Sequence, residues 1–197
     1  MLAPAFRDPP RATQAVFRTV MRATARPGRV QSLAGGLSPP APLNPAAAAL
    51  ALTLLDYETP VWLDPPLAAA PEVGDWLRFH TGAPLTGDCG EAAFAFVSDP
   101  VRLPPFDSFS LGSLEYPDRS TTLVLQVEGF DRGEPLKLTG PGIDGVQSFS
   151  AAPLPQGFRA RLVTNRGLFP RGMDLILASR DAIAALPRSV RVQPEQP

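Results

Sequence analysis

Phe169-Pro170-Arg171-Gly172-Met173-Asp174-Leu175-Ile176-Leu177 is the stretch on which the reading of this chain turns. Pro170 fixes φ and Gly172 permits a positive φ. From Met173 to Ala178 the side chains are apolar except at Asp174, so the segment predicts a turn that delivers the chain into a buried strand. The acid at the mouth of that strand lies three residues from Arg171, and it reads either as a strand-start salt bridge or as one wall of a polar site. Leu186-Pro187-Arg188 closes the unit a few residues later.

Working outward, Pro155 to Asn165 predicts a helix with Phe158, Leu162 and Val163 toward the core and Arg159, Arg161 and Arg166 outward; Asn165-Arg166-Gly167 supplies its C-cap chemistry. Ser179-Arg180-Asp181 reads as a turn, Ala182 to Leu186 as a returning strand and Val190 to Pro197 as a fraying tail. Upstream, Thr121 to Val127 has strong β-propensity. The turn Phe130 to Glu134 and the run Leu136-Lys137-Leu138-Thr139 follow it, a pattern that predicts a β-hairpin. Alternation places Leu136 and Leu138 inward and Lys137 outward. Gly140-Pro141-Gly142-Ile143 then makes a turn whose N–H groups either cradle an anion or simply reverse the chain.

In the amino-terminal half, Asp8-Pro9-Pro10 is an N-cap followed by proline, which starts a helix running to Ala25. Val16, Phe17, Val20 and Met21 mark its buried face. Arg11, Arg18 and Arg22 lie on a neighbouring face, either solvated or in contact with an anion or a partner. A strand is expected over Val30 to Leu33, a Gly/Pro-rich loop from Gly35 to Pro45, an alanine-rich helix from Pro45 through Leu55 and a strand at Val61-Trp62-Leu63. Then come a helix over Pro71 to Thr81 stopped by Gly82, a strand over Ala92 to Val97, and a loop from Pro104 to Gly112 with Phe106 and Phe109 inward. Helices leading into strands give a three-layer α/β architecture, a mixed β-sheet flanked by helices, in a single domain over residues 1–197.

Charge and composition narrow the function classes. A formal net charge of -1 argues against a nucleic-acid backbone or an anionic membrane as partner. The longest apolar stretch, Ala46 to Leu55, falls well short of the ~20 residues that cross a bilayer. Met1 to Asp8 lacks the apolar core of a secretory signal, so the reading is cytoplasmic. Cys89 stands alone and no Cys/His set has ligand spacing, so neither a disulfide nor a metal is expected, and no cofactor either. Lys137 is the sole lysine and hence the sole Schiff-base candidate. His80 is the sole histidine, as readily a packed residue as an acid or base. The chain carries no Gly-x-Ser-x-Gly, His-Glu-x-x-His, P-loop, dinucleotide or Cys-x-x-Cys motif.

Several separated stretches, taken in order, resemble the PhnH family, the H subunits of the bacterial carbon-phosphorus lyase system for phosphonate use. They are Phe17-Arg18 with Met21-Arg22-Ala23 and Pro27-Gly28, Asp56 with Thr59-Pro60-Val61-Trp62-Leu63, and Leu77-Arg78-Phe79-His80-Thr81 with Ala83-Pro84-Leu85. Leu138-Thr139-Gly140 with Gly142-Ile143, Phe169-Pro170 with Gly172 and Asp174-Leu175-Ile176-Leu177, and Pro187-Arg188 complete the set. The resemblance implies a fold similar to the large domain of PLP-dependent transferases without PLP, a homodimer when isolated, and a place beside the G, I and J subunits. It implies a complex that displaces adenine from ATP with methylphosphonate to give alpha-D-ribose 1-methylphosphonate 5-triphosphate. There the I subunit carries the nucleoside chemistry, and the J subunit's iron-sulfur cluster cleaves the C–P bond. The H-like subunit then scaffolds, or binds ATP or a phosphonate-derived ligand, and is not itself the catalyst.

ATP and phosphonate favour arginine and N–H donors. The candidate ligand-binding residues are therefore Arg78, His80 and Thr81, then Thr139 and Gly140, then Asp174 and, below it, Arg171; Arg18 and Arg22 are candidates for a partner surface. The alternatives are a stand-alone PLP-type transferase using Lys137 and an unrelated domain that binds an anionic ligand.

Overall fold

The apolar run after Asp174 forms a strand, β8 (Asp174–Ala178), with neighbours on both sides. β5 (Thr122–Gln126) pairs with it in parallel, from Thr122↔Asp174 to Gln126↔Ala178, and β9 (Ala182–Leu186) pairs antiparallel on the other side. The structure, a computed structural model, describes residues 3–33 and 36–194. The first residue of the loop expected from Gly35 and the last three of the expected tail therefore lie outside it.

β5 and β8 belong to a seven-stranded sheet. Its other members are β1 (Gln31–Ser32), β2 (Val61–Leu63), β3 (Leu85–Thr86) and β4 (Phe94–Val97), in the order β1-β9-β8-β5-β4-β2-β3. Only β9 runs against the rest. Parallel strands covered on both faces read as unbroken apolar runs, which is why Leu175-Ile176-Leu177 and Leu123-Val124-Leu125 show no alternation.

One face of the sheet carries α1 (Pro9–Ala25), α2 (Pro45–Leu54), the short α3 (Pro65–Ala68) and α4 (Pro71–Thr81). Every residue from Ala46 to Ala51 is buried, so α2 has almost no solvent face. α1 rests on α2 and β9 through a narrow stripe of Val16, Val20 and Ala23. Phe17 and Met21, expected inside, flank that stripe and are about half exposed, because a neighbour as slender as α2 covers only a thin line of α1.

The opposite face is covered by α5 (Phe158–Gly167) and by a three-stranded antiparallel sheet. Its strands are β10 (Arg191–Val192), β6 (Leu136–Thr139) and β7 (Gln147–Phe149), in the order β10-β6-β7. This corrects the expected hairpin between Thr121–Val127 and Leu136–Thr139. Both edges of β5 are taken, by β4 and β8, so the chain leaves the large sheet after Val127 and β6 pairs elsewhere. The tail is also ordered further than expected, since Arg191 and Val192 pair with Thr139 and Leu138. Lys137 is exposed, as alternation requires. Val163, expected in the core, faces solvent, and Asn165 turns inward beside the expected Phe158 and Leu162.

The architecture is therefore α/β, a mixed sheet flanked by helices, with the third layer part helix and part sheet. Leu123, Leu125, Leu175 and Leu177 are fully buried between sheet and third layer, and each contributes about 1.5–3 kcal/mol of hydrophobic stabilisation. Among the described residues no helix is long and apolar enough to cross a membrane.

Candidate functional site

The turn into β8 is built by a buried amide. Asn165, from the last turn of α5, donates its Nδ2–H to the Met173 carbonyl at 2.9 Å and accepts the Met173 N–H at 2.8 Å. It thereby satisfies both backbone groups of the residue just before the strand. Gly172 has φ +113° and donates its N–H to the Leu111 carbonyl at 2.9 Å. A Cβ there would come within 2.7 Å of Asn165 Oδ1, so glycine is required by conformation and by space.

Asp174 is held by Arg188 and not by Arg171. The Arg188 backbone N–H donates to Asp174 Oδ1 at 2.8 Å, its Nε to Oδ1 at 3.2 Å and its Nη2 to Oδ2 at 2.7 Å. The same guanidinium donates to the Ser120 hydroxyl at 2.7 Å and to the Pro117 carbonyl. The hairpin explains the partner. Leu175 pairs with Leu186, so the chain leaving β9 passes directly over Asp174. Both carboxylate oxygens are engaged in charge-assisted bonds, the arrangement of an acid that fixes structure. Arg171 Nε is buried without a hydrogen-bond partner.

At the end of α4 the three candidates separate. Thr81 donates its hydroxyl to the Leu77 carbonyl at 2.7 Å and accepts the Ala83 N–H at 3.1 Å. His80 Nε2 lies 3.1 Å from the Ala3 carbonyl, which requires a proton on Nε2, and its ring packs edge-on against Trp76 and Phe79. Trp76 Nε1 donates to that same carbonyl at 2.8 Å, so the pair straps the amino-terminal segment across α4. Arg78 alone faces an open space, and there it pairs with Asp75 at 3.3 Å.

That space is a cleft of 560 Å³ at the carboxyl ends of β2 and β3, lined by Trp62, Leu63, Gly74, Asp75, Arg78 and Thr86 among others. In open α/β sheets ligands bind at the carboxyl ends of the parallel strands, where the strand order reverses. Here the reversal lies between β2 and β4, and the chain's own Asp64 sits in it, only 3% exposed. Its carboxylate accepts the N–H groups of Ser98 at 2.7 Å, Asp99 at 2.8 Å and Leu67 at 3.2 Å, and the Ser98 hydroxyl at 3.1 Å. Further along the same edge, Gln126 accepts the Asn44 N–H and donates to the Pro42 carbonyl, and Asn44 Nδ2 donates to the Ala178 carbonyl. The backbone N–H groups around Asp64, and the N–H and carbonyl groups around Gln126 and Asn44, are therefore occupied from within.

Thr139 and Gly140 stand apart from both places, at the end of β6. Gly140 lies against the Ser189 carbonyl, and a Cβ on Gly142 would overlap the carbonyl of Ala25, so the glycine turn is packed on the end of α1 and does not stand open as an anion cradle. Arg18 and Arg22 are exposed on α1 beside Phe17 and Met21. Arg78, the Asp174 turn and the glycine turn thus occupy three regions and do not converge. No group of His, Cys, Asp and Glu among the described residues has the geometry to hold a metal ion.

Comparison with known proteins places this arrangement. A family model described as bacterial phosphonate metabolism protein (PhnH) matches residues 4–193. The chain belongs to the PhnH family. It is 46% identical over 193 residues to the alpha-D-ribose 1-methylphosphonate 5-triphosphate synthase subunit PhnH of Rhizobium meliloti (strain 1021), an alignment covering 97% of this chain and 95% of that protein. It is 34% identical over 179 residues to the putative C-P lyase subunit protein HtxG of Stutzerimonas stutzeri, covering 91% of this chain and 85% of that one. The family resemblance read from separated stretches is thereby established over nearly the whole length.

Within this PhnH fold the decisive polar residues that sequence reasoning missed are Asp64, Asn165, Asn44 and Gln126. Asp64 had a visible signal. Asp64-Pro65-Pro66 repeats the Asp-Pro-Pro of the α1 start, and the structure uses it the same way, as the N-cap of α3. Asn44-Pro45 carried the same signal, since Asn44 is the N-cap of α2, and Asn165 reads in the sequence only as part of the α5 C-cap. Gln126 had none, because its partners lie in the loop before α2, more than eighty residues away.

Proposed function

We propose that this chain is a subunit of the carbon-phosphorus lyase assembly, acting in the formation of alpha-D-ribose 1-methylphosphonate 5-triphosphate as a scaffold or ligand-holding subunit and not as the bond-breaking one. The family match over residues 4–193 carries the reading. The side chains support the division of labour. Asp174, Asp64 and His80 are each committed to internal contacts, and Lys137 projects from the small sheet into solvent, with no enclosed pocket around it to hold a PLP-type cofactor. We read the large sheet, mixed and with β9 alone reversed, as similar to that of PLP-dependent transferases. The exposed face of α1, where Phe17 and Met21 alternate with Arg18 and Arg22, is the surface we assign to partners, because apolar area mixed with arginine is the composition of protein interfaces.

Co-expression of a tagged chain with the G, I and J subunits tests this. Co-purification of all four is expected, and Arg18→Glu/Met21→Glu is expected to weaken it at unchanged thermal stability. A chain that stays apart while the other three assemble overturns the reading.

A further inference from the structure

A groove of 640 Å³ runs between the two sheets, with β1, the edge strand of the large sheet, on one side and β7, the edge strand of the small sheet, on the other. Arg26, Arg29 and Gln31 line the first wall, and Gln147, Ser148 and Phe130 line the second. No acidic residue lines it. Arg26 and Arg29 are exposed and make no ion pair with any described residue, whereas Arg78, Arg102, Arg132, Arg159 and Arg188 all do.

The groove is held in shape by its floor. Gly28, between the two arginines, has φ +73° and donates its N–H to the Ala185 carbonyl at 3.0 Å. A Cβ on it would come within 2.7 Å of Leu138 Cδ1 and 3.1 Å of Gln147 Cγ. The turn after α1 is thus pressed onto β6 and β7, and Arg26 and Arg29, two residues before and one after Gly28, both line the groove. With a net charge of only -1 over the whole chain, this acid-free cationic groove is a local feature and not part of a general excess of positive charge.

We infer that the groove between β1 and β7 binds a polyphosphate chain, with Arg26 and Arg29 as its cationic groups and Gln31, Gln147 and Ser148 as neutral donors. Guanidinium groups match phosphate oxygens in geometry, and two of them without carboxylate competitors favour a ligand carrying several phosphates over one carrying a single charge. The volume lies within the range of small-molecule sites, about 300–1,000 Å³. The inference deepens the function proposed above and rests on it only for choosing a triphosphate as the ligand.

Calorimetric titration of the isolated chain with sodium tripolyphosphate, ATP, AMP and adenosine tests it. Tripolyphosphate and ATP are expected to bind, AMP more weakly and adenosine not at all. Arg26→Gln/Arg29→Gln is expected to weaken the first two about 100-fold, about tenfold per charged hydrogen-bonding group lost. Ser148→Glu, which sets a carboxylate in the groove without touching either arginine, is expected to weaken them as well. The charge-matched pair Arg180→Gln/Arg191→Gln, outside the groove, is expected to change affinity less than twofold. No binding of tripolyphosphate and ATP to the unaltered chain overturns the inference, as do equal losses in the control pair or equal binding of adenosine and ATP. Co-purification with the other subunits is a separate readout. Its survival alongside failed titrations removes the groove and keeps the proposed function, and the reverse pattern does the opposite.

Discussion

Asp174 and Asp64 stand at opposite ends of the parallel strands, and each is stabilised by a different means. At the amino end, Asp174 opens β8 and meets a cation, the forked guanidinium of Arg188, at 2.7 Å. At the carboxyl end, Asp64 follows β2 and meets no cation; three backbone N–H groups and one hydroxyl hold its charge. Parallel strands leave unpaired carbonyls and N–H groups at their ends, and a carboxylate can answer the N–H groups directly. A cation becomes necessary only where an acid must tie together segments that offer carbonyls. Arg188 does this, bonding Pro117 and Ser120 while holding Asp174.

The largest effect is expected from Asp64→Ala. It leaves three N–H donors without a partner in a site that is 3% exposed, and about 3–5 kcal/mol of stability should be lost, read from chemical denaturation. A loss under 1 kcal/mol would mean that water replaces the carboxylate freely. Arg188→Ala comes next, at about 2–4 kcal/mol, since the Asp174 side chain is 35% exposed and recovers some hydration. Asp174→Asn sharpens this further. If the acid is architectural, the variant loses stability yet still joins the other subunits, and normal stability with a broken assembly would transfer Asp174 to the functional residues. Arg171→Gln should be smallest, within about 0.5 kcal/mol, because no ion pair or hydrogen bond is lost with it. A large effect there would restore Arg171 as a partner of the strand mouth.

The contrast also shows what a sequence can disclose. β8, its turn and the return through β9 were legible because proline, glycine and an apolar run act locally, and so was the Asp8 cap. A salt bridge at the strand mouth was legible as one of two readings of Asp174. Which arginine was not, because Arg171 is near in sequence while Arg188 is brought close by the hairpin register. β6 was recognised as a strand but assigned to the wrong neighbour, since pairing depends on which edges remain free, a property of the whole sheet. The candidate site was the least legible part. His80 and Thr81 carry suitable chemistry by type, but contacts with Ala3, Trp76, Leu77 and Ala83 had already committed them. Arg26 and Arg29 drew no notice as a pair because their setting is created by β7, far along the chain.

The alanines of α2 have a consequence for how this chain can change over generations. Six consecutive buried positions, five of them alanine, let the helix lie one methyl group away from its neighbours all round. A helix of that kind has no permissive side on which larger residues can accumulate, because every added carbon must displace α1, α4 or the sheet. A larger residue at any of the five alanines is expected to cost about 1–3 kcal/mol, a constraint that the outer surface of α1, the face assigned here to partners, does not share.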